Sequence, residues 1–241
     1  MPTPMNTCKR NTVIKMDDLF SLREKEIFDT LEMLNMPFVL IGGYAVNAYT
    51  LPRFSVDCDI VIASKEELEK TEKVLFGLGY SSSTSMKDVP YSANFVRYEK
   101  IIQPNFRVSI DILIGEVVDR LSGEVFKFDW IVENSKLRKL KGKTRPLTFE
   151  LFIPDPEALF AMKFASCRDT DIRDMFMLIA HVNLKKLKGI LSVRPYFAAN
   201  FKRVESTISS KEFRNNLAGV YGKLDDKTFE RYQKLVSKIS D

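Results

Sequence analysis

The stretch RFSVDCDIVIA, residues 53–63, places two aspartates, Asp57 and Asp59, inside an otherwise apolar run that reads as a buried strand. Burying one unpaired carboxylate is costly, and two near each other repel, so the fold must bring a compensating positive charge to them. Side chains alternate across a strand, so Asp57 and Asp59 share one face while Cys58 and Ile60 take the other. The run FRVSIDILIG, residues 106–115, has the same construction. Phe106, Val108, Ile110, Ile112 and Ile114 line one face, and Arg107, Ser109, Asp111 and Leu113 the other. If the two strands are neighbours, three carboxylates converge on one patch. Magnesium, a hard ion that takes oxygen ligands from carboxylates and phosphates, would neutralise them. A salt bridge from Arg53 or another base would do so as well.

Elements around these strands follow from periodicity and punctuation. Residues 17–35 carry Leu19, Phe20, Leu22, Ile27, Phe28, Leu31 and Leu34 at helical spacing, with Pro37 as the stop. PFVLIGG (37–43) reads as a short buried strand entering two glycines, and residues 44–51 as a helix ended by Pro52. Residues 64–80 predict a helix with Ser64 as N-cap, Glu67 completing a capping box, and an end near Gly77 and Gly79. Strands are expected at 91–99, 106–114 and 147–153, and then helices at 154–168 and 171–182. For the first of those helices Asp155 suits the N-cap and Pro156 the first helical position. Residues from 183 onward keep a polar helical pattern. The order predicts an α/β (α+β) chain: a mixed β-sheet flanked by helices over 1–150, and a helical C-terminal domain over 151–241.

Gly42-Gly43 sits at a strand–helix junction, where glycine lets backbone amides approach a phosphate; a tight turn explains the pair equally well. Taken together, IGG (41–43), RFSVDCDIVI (53–62) and SIDILIG (109–115) resemble the DNA polymerase beta-like nucleotidyltransferase superfamily. Its pattern is an apolar residue with Gly-Gly or Gly-Ser, a short helix, Asp-x-Asp in a strand, and a later Asp in another strand. PDPEALFAMKFASCRDTDIRDMFML (154–178) also resembles a segment of stand-alone members, with Lys163, Asp171 and Asp174 at the matching positions. The likeness spans about residues 37–180 and is nearest to small prokaryotic members that include abortive-infection-type toxins.

The resemblance implies a nucleotidyltransferase fold and roles residue by residue. Gly42 and Gly43 would hold the triphosphate of a nucleoside triphosphate such as ATP. Asp57 and Asp59 would bind two magnesium ions, and Asp111 would ligate the catalytic ion and help deprotonate the acceptor hydroxyl. Arg53, Ser55 and Lys163 would reach phosphate, with Asp174 alongside; Arg53 could equally be a salt-bridge partner. The residues after the glycine pair, YAVNAYT, depart from the family in lacking a small residue there.

The remaining features bound the partners. The chain has 241 residues, one histidine and a net charge of +5, which favours a polyanion such as RNA or a tRNA end and excludes multi-histidine metal chemistry. Three scattered cysteines, Cys8, Cys58 and Cys167, argue for a reducing, cytoplasmic setting. No apolar run has the ~20 residues of a membrane helix, so no membrane partner is expected. The basic run KLRKLKGKTR (136–145) reads as a nucleic-acid track or as an exposed edge hairpin. His181 is expected in a core or interface, and Trp130 in the core. The function implied is transfer of a nucleoside monophosphate to a hydroxyl of RNA, a protein or a small molecule. Toxin activity, with an antitoxin protein as partner, belongs to the same reading. The alternatives are a catalytically silent binding module of the same fold and a two-metal nuclease.

Overall fold

The computed structural model describes residues 16–83 and 94–240. Helix α1 (Met16–Met33) leads into β1 (Val39–Ile41), α2 (Gly42–Val46) and β2 (Asp57–Ile62), followed by α3 (Lys65–Gly77) and β3 (Ser81–Ser82). A hairpin of β4 (Phe95–Gln103) and β5 (Phe106–Ile114) comes next. It is followed by a small hairpin, β6 (Glu116–Val118) and β7 (Val125–Lys127), and by α4 (Phe128–Glu133), β8 (Ser135–Lys141) and β9 (Pro146–Pro154). The rest is helical: α5 (Pro156–Ser166), α6 (Asp169–Leu178), α7 (Leu184–Leu191), α8 (Phe197–Ile208), α9 (Lys211–Tyr221) and α10 (Asp226–Ser237). The strand expected at 91–99 begins at Phe95; residues 91–93, like Cys8, lie outside the described residues.

Seven strands form one mixed sheet in the order β3-β4-β5-β2-β1-β9-β8. β2 lies at its centre, antiparallel to β1 and parallel to β5. Val108, Ile110 and Ile112 are fully buried, and α1 and α3 pack against their strand. Cys58 and Ile60 are equally buried, as alternation requires for the side of β2 turned away from the aspartates. Residues 136–141 of the basic run lie in the edge strand β8, where lysines discourage pairing with another chain.

Several local expectations are corrected. Helix α2 stops at Val46 and passes into tight turns through Thr50, while the Asn47 side chain brackets the backbone of Arg53: its amide donates to the Arg53 carbonyl (2.8 Å) and its oxygen accepts from the Arg53 amide (3.1 Å). Ser64 takes the N-cap position of α3 without a side-chain cap bond, and Glu67 accepts from the Ala63 amide at 2.8 Å instead of that of Ser64. Asp155 is the N-cap of α5, yet its carboxylate faces Lys136 (3.4 Å) and Lys186 (3.5 Å) and makes no bond to the helix amides. His181 ends a 3-10 turn and is exposed. Trp130 is half-buried against Phe126, with ring centroids 5.3 Å apart.

The C-terminal helices are held by an aromatic cluster. Phe176 of α6 contacts Phe213 of α9 (5.2 Å) and Phe229 and Tyr232 of α10 (4.8 and 5.6 Å, ring centroids). Phe176 is fully buried, so truncation loses its transfer free energy and leaves a cavity. Phe176→Ala is expected to lower stability by about 3–5 kcal/mol in urea unfolding followed by circular dichroism; a loss under about 1 kcal/mol would contradict this packing.

Candidate functional site

The register of β2 on β5 brings the three carboxylates together. Asp57 pairs with Ser109 and Asp59 with Asp111, so all three acids stand on one face of adjacent strands. On the other side of β5, the antiparallel strand β4 sets Arg97 opposite Asp111. The Arg97 guanidinium grips Asp111 in a two-point bond, Nε to Oδ1 at 2.7 Å and Nη2 to Oδ2 at 2.7 Å. The same Nη2 lies 3.4 Å from Oδ1 of Asp57, which also accepts from the Ser109 hydroxyl at 2.5 Å. The salt-bridge partner at these carboxylates is therefore Arg97, and not Arg53.

Among the described residues the Asp59 carboxylate makes no hydrogen bond and no ion pair. Its burial, then the neighbouring charges of Asp111 and Asp57, push its carboxyl up to about 7 against the partial relief of Lys163 and Arg97. Burial also raises Asp111, opposed by the hydrogen bond and charge of Arg97.

The glycine pair is required by close approach. Gly42 has φ +68°, and a β-carbon there would collide with the Asp59 carboxylate. A β-carbon on Gly43 would strike the Ser55 hydroxyl and come within 2.9 Å of the Arg53 guanidinium. At five residues α2 has little macrodipole to offer, so what the glycines contribute is room for the Asp59, Ser55 and Arg53 side chains to close on the backbone.

Arg53, Lys163, Asp171 and Asp174 form a separate buried network. Arg53 binds Asp174 through Nε (2.8 Å) and Nη2 (2.6 Å), and Lys163 Nζ lies 2.7 Å from Asp174 and 3.2 Å from Asp171. Asp171 lies in the first turn of α6 and accepts from the Arg168 amide at 3.3 Å, while Asp174 lies one turn further on. The Tyr221 hydroxyl, at the end of α9, donates to Asp174 at 2.7 Å. Asp174 is 1 % exposed and Lys163 9 %, so neither is a solvated surface group.

All of these residues line one cleft of ≈ 1170 Å³: Gly42, Gly43, Arg53, Ser55, Asp57, Asp59, Asp111, Lys163, Asp171 and Asp174. Arg97 lines it too and was not foreseen, nor were the positioning contacts of Asn47, Ser109 and Tyr221. Among the described residues no three His, Cys, Asp or Glu side chains are gathered so that they could hold a metal ion. Both oxygens of Asp111 are engaged by Arg97. Asp57 and Asp59 remain the side chains suited to a hard cation, with Oδ2 of Asp57 and both oxygens of Asp59 without a hydrogen bond among the described residues.

No protein-family model matches the chain, and no curated protein matches it. Solved structures do. A lincosamide antibiotic adenylyltransferase, LnuA, with lincomycin bound is 20% identical at TM-score 0.43, covering 66% of this chain and 98% of that one. An H. pylori protein provisionally assigned as a nucleotidyltransferase is 15% identical at TM-score 0.47, covering 94% and 96%. ANT(2")-Ia in complex with adenylyl-2"-tobramycin is 14% identical at TM-score 0.48, covering 76% and 98%.

The buried network generates a pH prediction. Burial alone would raise Asp174, but the charges of Lys163 and Arg53 outweigh it and hold its carboxyl at about 2, below the ordinary 3.8. A carboxyl lowered on folding stabilises above its unfolded value and loses that contribution as pH falls through its folded value. Wild-type stability should therefore drop by on the order of 2 kcal/mol from this group between about pH 4 and pH 2. Denaturant midpoints across that window should fall less steeply in Asp174→Asn; equal slopes would remove Asp174 as the acid-sensitive group.

Proposed function

We propose that this chain is a magnesium-dependent nucleotidyltransferase of the DNA polymerase beta-like superfamily, with residues 1–150 as its catalytic domain and 151–241 as a helical domain. The observation that carries the reading is the β2–β5 register, which sets Asp59 opposite Asp111 and beside the Gly42 backbone in one cleft. The reaction moves a nucleoside monophosphate from a nucleoside triphosphate such as ATP to an acceptor hydroxyl. The hydroxyl oxygen bonds to the α-phosphorus, the bond to the leaving pyrophosphate breaks, and the hydroxyl proton is removed. Magnesium, when bound, neutralises the phosphate charge that develops in this displacement.

Each residue has a task in this scheme. Asp57 and Asp59 would hold the magnesium, and Asp111, gripped by Arg97, would help deprotonate the acceptor hydroxyl. The backbone of Gly42 and Gly43 receives the triphosphate, with the Ser55 hydroxyl directly beside Gly43. Lys163 presents positive charge to the cleft, fixed by Asp171 and Asp174. Arg53, clamped by Asp174, anchors the loop ahead of β2. The acceptor is RNA (a tRNA end included), a protein or a small molecule. A toxin role opposed by an antitoxin protein in the cytoplasm fits the same chemistry.

A second reading, a nucleotide- or partner-binding module without turnover, has one observation in its favour: Arg97 already occupies the space between Asp111 and Asp57. Incubation with labelled nucleoside triphosphates, magnesium and total cellular RNA or protein separates the two. Transfer of label that falls by about 10²–10³-fold in Asp57→Asn and in Asp59→Asn supports the transferase. Nucleotide binding without transfer supports the module, and shortened RNA points to a nuclease.

A further inference from the structure

Arg97 is placed by the same backbone register that places the acids. It faces Asp111 across β4 and β5, and its planar fork matches the carboxylate at both oxygens, 2.7 Å each. One nitrogen of that fork extends to Asp57 at 3.4 Å, and Ser109 donates to the same Asp57 oxygen at 2.5 Å. The oxygens that remain for a cation are Oδ2 of Asp57 and the pair on Asp59, whose Oδ2 lies against Gly42. Magnesium is ordinarily held by one or two carboxylates, with phosphates and waters completing its shell, so that set is sufficient for one ion.

Resting on the nucleotidyltransferase reading, we infer that Arg97 supplies from within the chain the positive charge at Asp111 that a second divalent cation would otherwise supply, so that the cleft takes a single cation at Asp57 and Asp59. The charge count agrees. Three carboxylates and one guanidinium leave two negative charges, which one divalent cation neutralises. A second divalent ion at Asp111 would have to displace the guanidinium or bear its repulsion at contact distance. Arg97 is thus a positioning residue for Asp111 and a specificity element for cation number. Such a part calls for arginine over lysine, because only the planar fork engages both oxygens of one carboxylate while touching a second.

The test counts manganese bound to the full chain, by electron paramagnetic resonance and equilibrium dialysis, with a non-hydrolysable nucleoside triphosphate analogue present and the signal of the analogue alone subtracted. The wild type should bind one ion per chain. Arg97→Gln, checked for a wild-type thermal melt, should bind two, and the added ion should be lost in the Arg97→Gln, Asp111→Asn double variant. Two ions in the wild type overturn the inference by themselves, even if Arg97→Gln fails to fold, and leave the transferase reading standing. An unchanged count of one in folded Arg97→Gln overturns it as well. No manganese in either protein overturns both the inference and the transferase reading.

Discussion

A single strand register governs the cleft. β2 and β5 run parallel and in step, so every second residue of one faces every second residue of the other: Cys58 and Ile60 meet Ile110 and Ile112 in the core, and Asp59 meets Asp111 on the opposite face. A slip of one residue would turn the aspartates into the core and the isoleucines into the cleft, so the hydrophobic pattern that builds the sheet also positions the acids. The core and the site are two consequences of the same pairing. The burial of Ile60, Ile110 and Ile112 supplies the free energy that holds three like charges close together.

The cleft's second wall is bound to the first by charge. The loop before β2 contributes Arg53, and α6 contributes Asp174, with Lys163 of α5 and Tyr221 of α9 closing around it. Truncating one partner of such a buried pair leaves an uncompensated charge, which is far more costly than the pair is stabilising. The helical part is thereby fixed to the residues preceding the aspartates, and the aromatic cluster centred on Phe176 lies two residues from Asp174 on the same helix. Displacement of α9 or α10 would be felt at Arg53.

The strands, the glycine junction and the three acids could be read directly, because each rests on a local signal: alternation for Asp57, Asp59 and Asp111, a strand–helix break for Gly42-Gly43. What escaped was long-range. Tyr221 is 168 residues from Arg53, and no periodicity links them. Arg97 is the instructive case, because the turn at Pro104–Asn105, with Asn105 at φ +64°, marks a hairpin, yet counting back from its Gln103–Phe106 pair sets Tyr98, not Arg97, against Asp111. The bulge between Ile101 and Gln103 shifts that register, and counting back from the turn alone would have missed it. Ser64 and Asp155 do stand at the N-cap positions of α3 and α5, but neither side chain caps the helix, and Asp155 faces Lys136 and Lys186, a pairing that composition does not show.

Arg97 also sharpens what the acids are for. A purely structural salt bridge needs one carboxylate for one guanidinium, and Arg97 with Asp111 would satisfy it. This face carries two more acids, while Arg53 and Lys163 of the same cleft are already committed to Asp174 and Asp171. Asp59 in particular is pressed against Gly42 without a hydrogen bond among the described residues, in a position where asparagine or an apolar side chain would remove the repulsion. The glycine at 42, held at φ +68°, is itself destabilising unless something must lie close to it. Both departures from the most stable choice sit at the same point of the cleft, because the Asp59 carboxylate fills the room that Gly42 leaves.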